Sequence, residues 1–184
     1  SDMKPSDIRS MCCRLRLDLR ELRKKSGGFF GSGESTGSVG VVTINMPRIA
    51  YLSKTPEEFY NRLDRMMDIS ARSLHIKREV IGKLLDEGLY PYTKRYLGSF
   101  SNHFSTIGLV GMNEVGLNAR WLGGDMSDEN TQKFTKEVLI HMRERLSDYQ
   151  VKYEGELFSL EATPAESTAY RLAKHDRKRW PDIK

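Results

Sequence analysis

A chain of 184 residues, 38% apolar and 30% charged, is long enough for one domain with a buried core. It has no apolar run near the roughly 20 residues of a membrane span. No signal peptide opens it at Ser1-Asp2-Met3-Lys4-Pro5, and two cysteines without an evident bridge suit a reducing, cytoplasmic setting. The net charge of +5 is concentrated in Arg14, Arg16, Arg20, Arg23, Lys24 and Lys25, and again in Lys174, Arg177, Lys178 and Arg179. Neither cluster carries interleaved aromatics, so a solvated face or a field for nucleotide phosphates is favoured over a nucleic-acid partner.

Ser6 to Arg23 supports two periods. Leu15, Leu17 and Leu19 alternate with Arg16, Asp18 and Arg20 as in a strand, while Leu15, Leu19 and Leu22 fit one helical face. An extended stretch that turns helical by Leu19 is favoured. Within it Cys12 and Cys13 stand side by side. Adjacent cysteines rarely bridge, because a disulfide needs a particular Cα separation. They therefore read as free thiols: buried small hydrophobes, metal ligands, nucleophiles or radical carriers.

Ser26 to Gly40 is rich in glycine and serine and reads as a flexible loop; it lacks the Gly-Lys-Ser/Thr ending of a phosphate-binding P-loop. Val39 to Met46 is β-branched and bounded by Pro47, the pattern of a buried strand. Asn45 near its end must find hydrogen bonds, either from loop backbone or from a ligand. Thr55-Pro56-Glu57-Glu58 is a helix start, and Phe59, Leu63, Met67, Leu74 and Ile81 continue an apolar face as far as Gly88. Leu89 to Asn102 reads as an aromatic connection.

Ser105 to Gly111 is a short buried strand with glycines where backbone or ligand comes close. Helices are expected over Met112–Leu122, from Ser127-Asp128-Glu129 to about Tyr153, and from Pro164 through Lys174, with a strand over Glu156–Ala162 between the last two. This order argues for an α/β protein with parallel strands. Three strands cannot close a barrel. The four histidines show no ligand spacing with the cysteines, so no metal site is assigned.

Several separated motifs, in one order from about Met11 to Ile183, resemble the active-site region of the anaerobic (class III) ribonucleoside-triphosphate reductases. They are Met11-Cys12-Cys13-Arg14, Gly40-Val-Val-Thr-Ile-Asn-Met-Pro-Arg-Ile-Ala50, Gly88-Leu-Tyr-Pro-Tyr-Thr93, His103-Phe-Ser-Thr-Ile-Gly-Leu-Val-Gly-Met-Asn-Glu114 and Ser159-Leu-Glu-Ala-Thr-Pro-Ala-Glu166.

The resemblance implies part of a ten-stranded α/β barrel of the glycyl-radical enzyme and ribonucleotide reductase type. Residues 1–184 would form a single partial catalytic domain, with a finger-loop region over 10–50 and barrel helices and strands over 51–184. It implies reduction of ribonucleoside triphosphates through a cysteine thiyl radical. The family pattern puts that cysteine immediately before the arginine, selecting Cys13, with Cys12 its neighbour at the substrate. Asn45 falls in the family's Thr-Ile-Asn-Leu-Pro-Arg pattern, with Met46 in place of leucine, and its amide would hold a ribose hydroxyl.

Glu161, at the C-terminal end of a strand where α/β active sites gather, would take the 3′-hydroxyl proton; its alternative is an ion pair with an arginine. The turn carrying Thr163, Ala165, Glu166, Ser167 and Thr168 would bind the triphosphate at a helix N-terminus, or simply cap that helix.

The glycyl radical, made by an iron-sulfur/S-adenosylmethionine activase, and a cysteine-ligated zinc are expected in a C-terminal part not contained in these residues. Any regulatory nucleotide domain, with its ATP binding and allosteric control, is also expected elsewhere. Formate or a small redox protein would be the reductant, and the full-length form a homodimer. Two readings compete: a non-catalytic structural fragment whose cysteines are merely packed, and another glycyl-radical enzyme of the pyruvate formate-lyase type.

Overall fold

The computed structural model describes residues 8–10, 16–18, 37–163 and 166–184. Two short strands, β1 (Ile8–Ser10) and β2 (Arg16–Asp18), pair antiparallel with Ile8 opposite Asp18. β2 holds Leu17, the middle one of the three alternating leucines, in the extended form that the period-two reading expects. The sequence between the two strands, Met11 to Leu15, carries both cysteines.

The main sheet has three parallel strands, β3 (Gly37–Asn45), β4 (His103–Val110) and β5 (Phe158–Ala162), in the order β3-β4-β5. Neighbours in sequence are neighbours in space, so the strand order contains no reversal. That is how strands succeed one another around an α/β barrel, unlike an open doubly wound sheet.

Parallel strands need long crossovers, and two helices supply them. α2 (Pro56–Asp86) packs on β3 and β4, and α5 (Glu129–Lys152) packs on β5. α2 begins as expected: the Thr55 hydroxyl accepts from Glu58 N at 3.2 Å, and the Glu58 carboxylate accepts from Lys54 N at 2.8 Å. Phe59, Leu63, Met67, Ala71 and Leu74 form its buried stripe. In α5 the matching stripe is Phe134, Val138, Met142, Leu146 and Tyr149, and Asp128 caps the helix by accepting from Thr131 N. Asp68 on α2 ties the two together, accepting from Tyr149 at 2.6 Å and from Arg145 at 2.5 Å.

Register divides the sheet into two unlike faces. Ile44 lies opposite Leu109 and Ile107 opposite Leu160; these side chains, with Phe158, join the helices in the core. Side chains alternate along a strand, so Thr43, Gly108 and Glu161, one row along, face the other way. That second face is polar. Ser38 Oγ lies 3.4 Å from Thr106 Oγ1, which lies 3.0 Å from Ser159 Oγ.

Two helices were not expected. α1 (Met46–Leu52) starts directly at the end of β3, with Pro47 in its first turn and Met46 fully buried; the strand ends at Asn45 rather than at Met46, and Pro47 opens a helix rather than only bounding the strand. α3 (Pro91–Leu97), an exposed turn of helix, occupies the aromatic connection. Two others shift: α4 spans Met112–Asn118, ending before Leu122, and α6 spans Glu166–Arg179, beyond Lys174.

Arg78 on α2 staples the start of β4. Its guanidinium donates to Phe100 O at 2.9 Å, His103 O at 2.6 Å and Ser105 Oγ at 3.2 Å. Beside it, burial and then the Arg78 charge hold the His103 imidazole below its ordinary value of 6.5. The folded chain thus refuses a proton that the unfolded chain accepts. Stability is expected to fall as the pH drops through 6.5, and His103→Gln should flatten that slope in denaturant titrations across this range.

Gly116 in α4 sets a second test. A Cβ there would overlap the Gly124 carbonyl oxygen and come within 2.6 Å of Thr131 Cγ2. Alanine should gain about 1 kcal/mol of helix propensity yet lower stability by about 1–3 kcal/mol through overpacking. A urea melt of Gly116→Ala measures the difference, and a raised midpoint would refute the overlap.

Candidate functional site

Because β3, β4 and β5 are parallel, their C-terminal ends gather at one edge, where Asn45, Gly111 and Thr163 sit. A cleft of about 850 Å³ opens there, lined among others by Asn45, Gly111, Glu114, Tyr170, Lys174 and Arg177. Gly111 has φ of 82°, and a Cβ there would meet the Pro47 ring. Glycine is thus required both by backbone conformation and by the close approach of α1.

Asn45 is the N-cap of α1: its Oδ1 accepts from Arg48 N at 3.3 Å. Its Nδ2 donates to Asp176 Oδ2 at 2.7 Å. The other oxygen of Asp176 accepts from Arg48, from Nε at 2.7 Å and from Nη2 at 2.5 Å. Asp176 is 3% exposed and is the buried residue of α6. An amide has two donors and two acceptor lone pairs, so among the described residues one N–H and one lone pair of Asn45 stay uncommitted. The loop-backbone alternative for Asn45 is partly realised as the cap, and half the amide is left for a ligand.

Glu161 is 3% exposed and sits in register with Gly108 on the polar face of the sheet. Its Oε1 accepts no hydrogen bond, and it pairs with no arginine among the described residues. A buried carboxylate oxygen without a donor is costly, and in native proteins such groups concentrate where chemistry needs them. Thr163 follows it by two residues. Its hydroxyl lies 3.3 Å from Thr43 Oγ1 and its N–H donates to Leu109 O at 3.1 Å. The room for it comes from Gly108, where any Cβ would collide with the Thr163 hydroxyl.

The structure thus places Asn45, Glu161 and Thr163 on the polar face and C-terminal edge of one sheet. Glu166, Ser167 and Thr168 form the exposed first turn of α6. Cys12, Cys13 and Ala165 lie outside the described residues. Sequence reasoning missed Asp176, although one signal was present: it is an acid within the basic run from Lys174 to Arg179.

A parallel α/β sheet in barrel order, with a buried unpaired carboxylate oxygen near its C-terminal edge, is the kind of scaffold on which α/β proteins place their sites. The family model for anaerobic ribonucleoside-triphosphate reductase matches residues 1–184, and the chain belongs to that family. It is similar to the anaerobic ribonucleoside-triphosphate reductase of Haemophilus influenzae, 28% identical over 175 residues that cover 83% of this chain and 24% of the relative. The enzyme of the same name from Enterobacteria phage T4 is 26% identical over 170 residues, covering 82% of this chain and 26% of that one. Among solved structures, the anaerobic ribonucleotide reductase of Thermotoga maritima with glycerol in its active site superposes with a TM-score of 0.73 at 30% identity, covering 83% of this chain and 26% of that chain. The chain therefore spans about a quarter of the length of these relatives, and its sheet is an arc of their α/β barrel.

Glu161→Gln replaces the buried carboxyl group with an amide while keeping the shape of the side chain. It is expected to raise stability by about 1 kcal/mol, in the manner of sites held strained for function. A thermal melt reads the shift, and a lowered midpoint would mean that the carboxylate is structurally paired.

Proposed function

We propose that this chain supplies part of the catalytic barrel of an enzyme that reduces ribonucleoside triphosphates to deoxyribonucleoside triphosphates. The observation that carries this reading is the unpaired, buried carboxylate of Glu161 on the same polar sheet face as Asn45, in a chain of the reductase family. A relative supports the substrate class: the Thermotoga maritima enzyme is known in complex with dATP and CTP.

In this reading Cys13 carries the thiyl radical, with Cys12 beside it. The Cys13 sulfur takes the 3′-hydrogen, forming S–H and leaving a carbon radical on the ribose. Glu161 accepts the 3′-hydroxyl proton as that radical develops. The free donor and lone pair of Asn45 hold the ribose hydroxyls in place while the 2′-hydroxyl takes that proton from Glu161 and leaves as water. Two electrons and two protons, at C2′ and at the 3′-oxygen, complete the reduction; formate would supply both electrons and one of the protons as it leaves as CO2, a small redox protein both of each, and Cys13 then returns its hydrogen to C3′. The first turn of α6, Glu166 to Thr168, offers backbone N–H groups for the triphosphate. The radical reaches Cys13 from a glycyl radical generated by a radical-SAM activase, and the working assembly is a homodimer.

The test is turnover in the assembled reductase carrying these substitutions. Cys13→Ser and Asn45→Ala should abolish deoxynucleotide formation, and Glu161→Gln should lower kcat by about 10²–10⁴. Turnover at the parent rate in any of the three would remove the role assigned to that residue. The competing view of a non-catalytic module expects parent rates in all of them.

A further inference from the structure

We infer that Asp176 is a positioning residue for Asn45, and that it ties α6 to the end of β3. The inference rests on the function proposed above and extends it to a residue that does not touch the substrate.

An amide does not settle its own orientation. The oxygen and nitrogen of an asparagine side chain are nearly the same size, so packing does not choose between its two orientations. Chemistry chooses here. Arg48 N is a donor and must face the amide oxygen, at 3.3 Å. The Asp176 carboxylate is acceptor-only and must face the amide nitrogen, at 2.7 Å. Both partners demand one orientation, and that fixes which donor and which lone pair remain free. Neither partner would be as firm without the other. The Arg48 guanidinium holds Asp176 through two contacts to its Oδ1, which compensates the burial of that carboxylate. Arg48 lies three residues past Asn45 on the helix that Asn45 caps, so the three side chains form a closed triangle.

Asp176 does a second thing. α6 is otherwise almost wholly exposed, and Asp176 is its buried residue. The helix is held at the sheet edge by a polar clamp rather than by an apolar stripe. Its first turn lies roughly 15 Å along the axis from Asp176, at 1.5 Å per residue. The clamp therefore sets the distance between that turn, which we assign to the triphosphate, and the amide assigned to the ribose. Losing it should misplace the reacting ribose more than it weakens binding of the nucleotide.

The experiment uses the assembled reductase. Asp176→Asn keeps the size of the side chain, and Asp176→Ala removes it. Each should lower kcat about tenfold or more while KM for the ribonucleoside triphosphate changes less than about threefold. The melting midpoint should stay within about 3 °C, and Asp176→Glu should recover part of the lost kcat. A kcat within about twofold of the parent, or no recovery of kcat in Asp176→Glu, overturns the inference. If the parent rate does not depend on Asn45 or Cys13, the proposed function itself falls. That outcome is distinct from a dependence on Asn45 without one on Asp176.

Discussion

Parallel pairing of β3, β4 and β5 is the constraint from which the rest follows. A parallel ladder cannot be closed by a tight turn, so long helices must carry the chain back. Those helices, α2 and α5, cover one face and set the core of Phe59, Leu63, Ile107, Met142 and Phe158. The same pairing sends every strand end to one edge. Asn45, Gly111 and Thr163 come from segments far apart in the chain, and they meet there because the strands run the same way. The site is thus a product of strand direction before any side chain is considered.

The opposite face shows how much polarity the sheet tolerates. Thr43, Thr106, Ser159 and Glu161 replace the continuous apolar run usual in a parallel strand buried on both faces. The hydroxyls satisfy one another across strands. Glu161 breaks that pattern with an oxygen that nothing among the described residues donates to. A buried network with one unsatisfied member is a poor structural device, so its retention points to chemistry.

Much of this was legible in the sequence. The β-branched run before Asn45 and the Thr55-Pro56 start of α2 gave two elements nearly to the residue. Gly88, at φ of 86°, ended α2 as expected. The ordered motifs gave the family. What was hidden had physical causes. Pro47 looked like a stop because proline ends strands, yet proline is equally at home in the first turn of a helix. The polar face could not be read from any one segment, since Thr43, Gly108 and Glu161 become a row only through register. Asp176 was hidden by its neighbours: in a basic run an isolated acid resembles surface charge balance, and only the fold shows it buried against Asn45 and Arg48.

The row of hydroxyls has a direction. Ser38 has a single proton, and backbone carbonyls of Gly40 and Phe104 lie 3.2 and 3.3 Å away to receive it. With that proton spent, Ser38 can only accept from Thr106, and Thr106 in turn can only accept from Ser159. Each hydroxyl hands its hydrogen toward β3, so the far end of the row, at Ser159, is left with lone pairs alone. Whatever approaches that end of the face must bring a hydrogen to give, and a group that carries only lone pairs of its own is turned away there without any steric barrier.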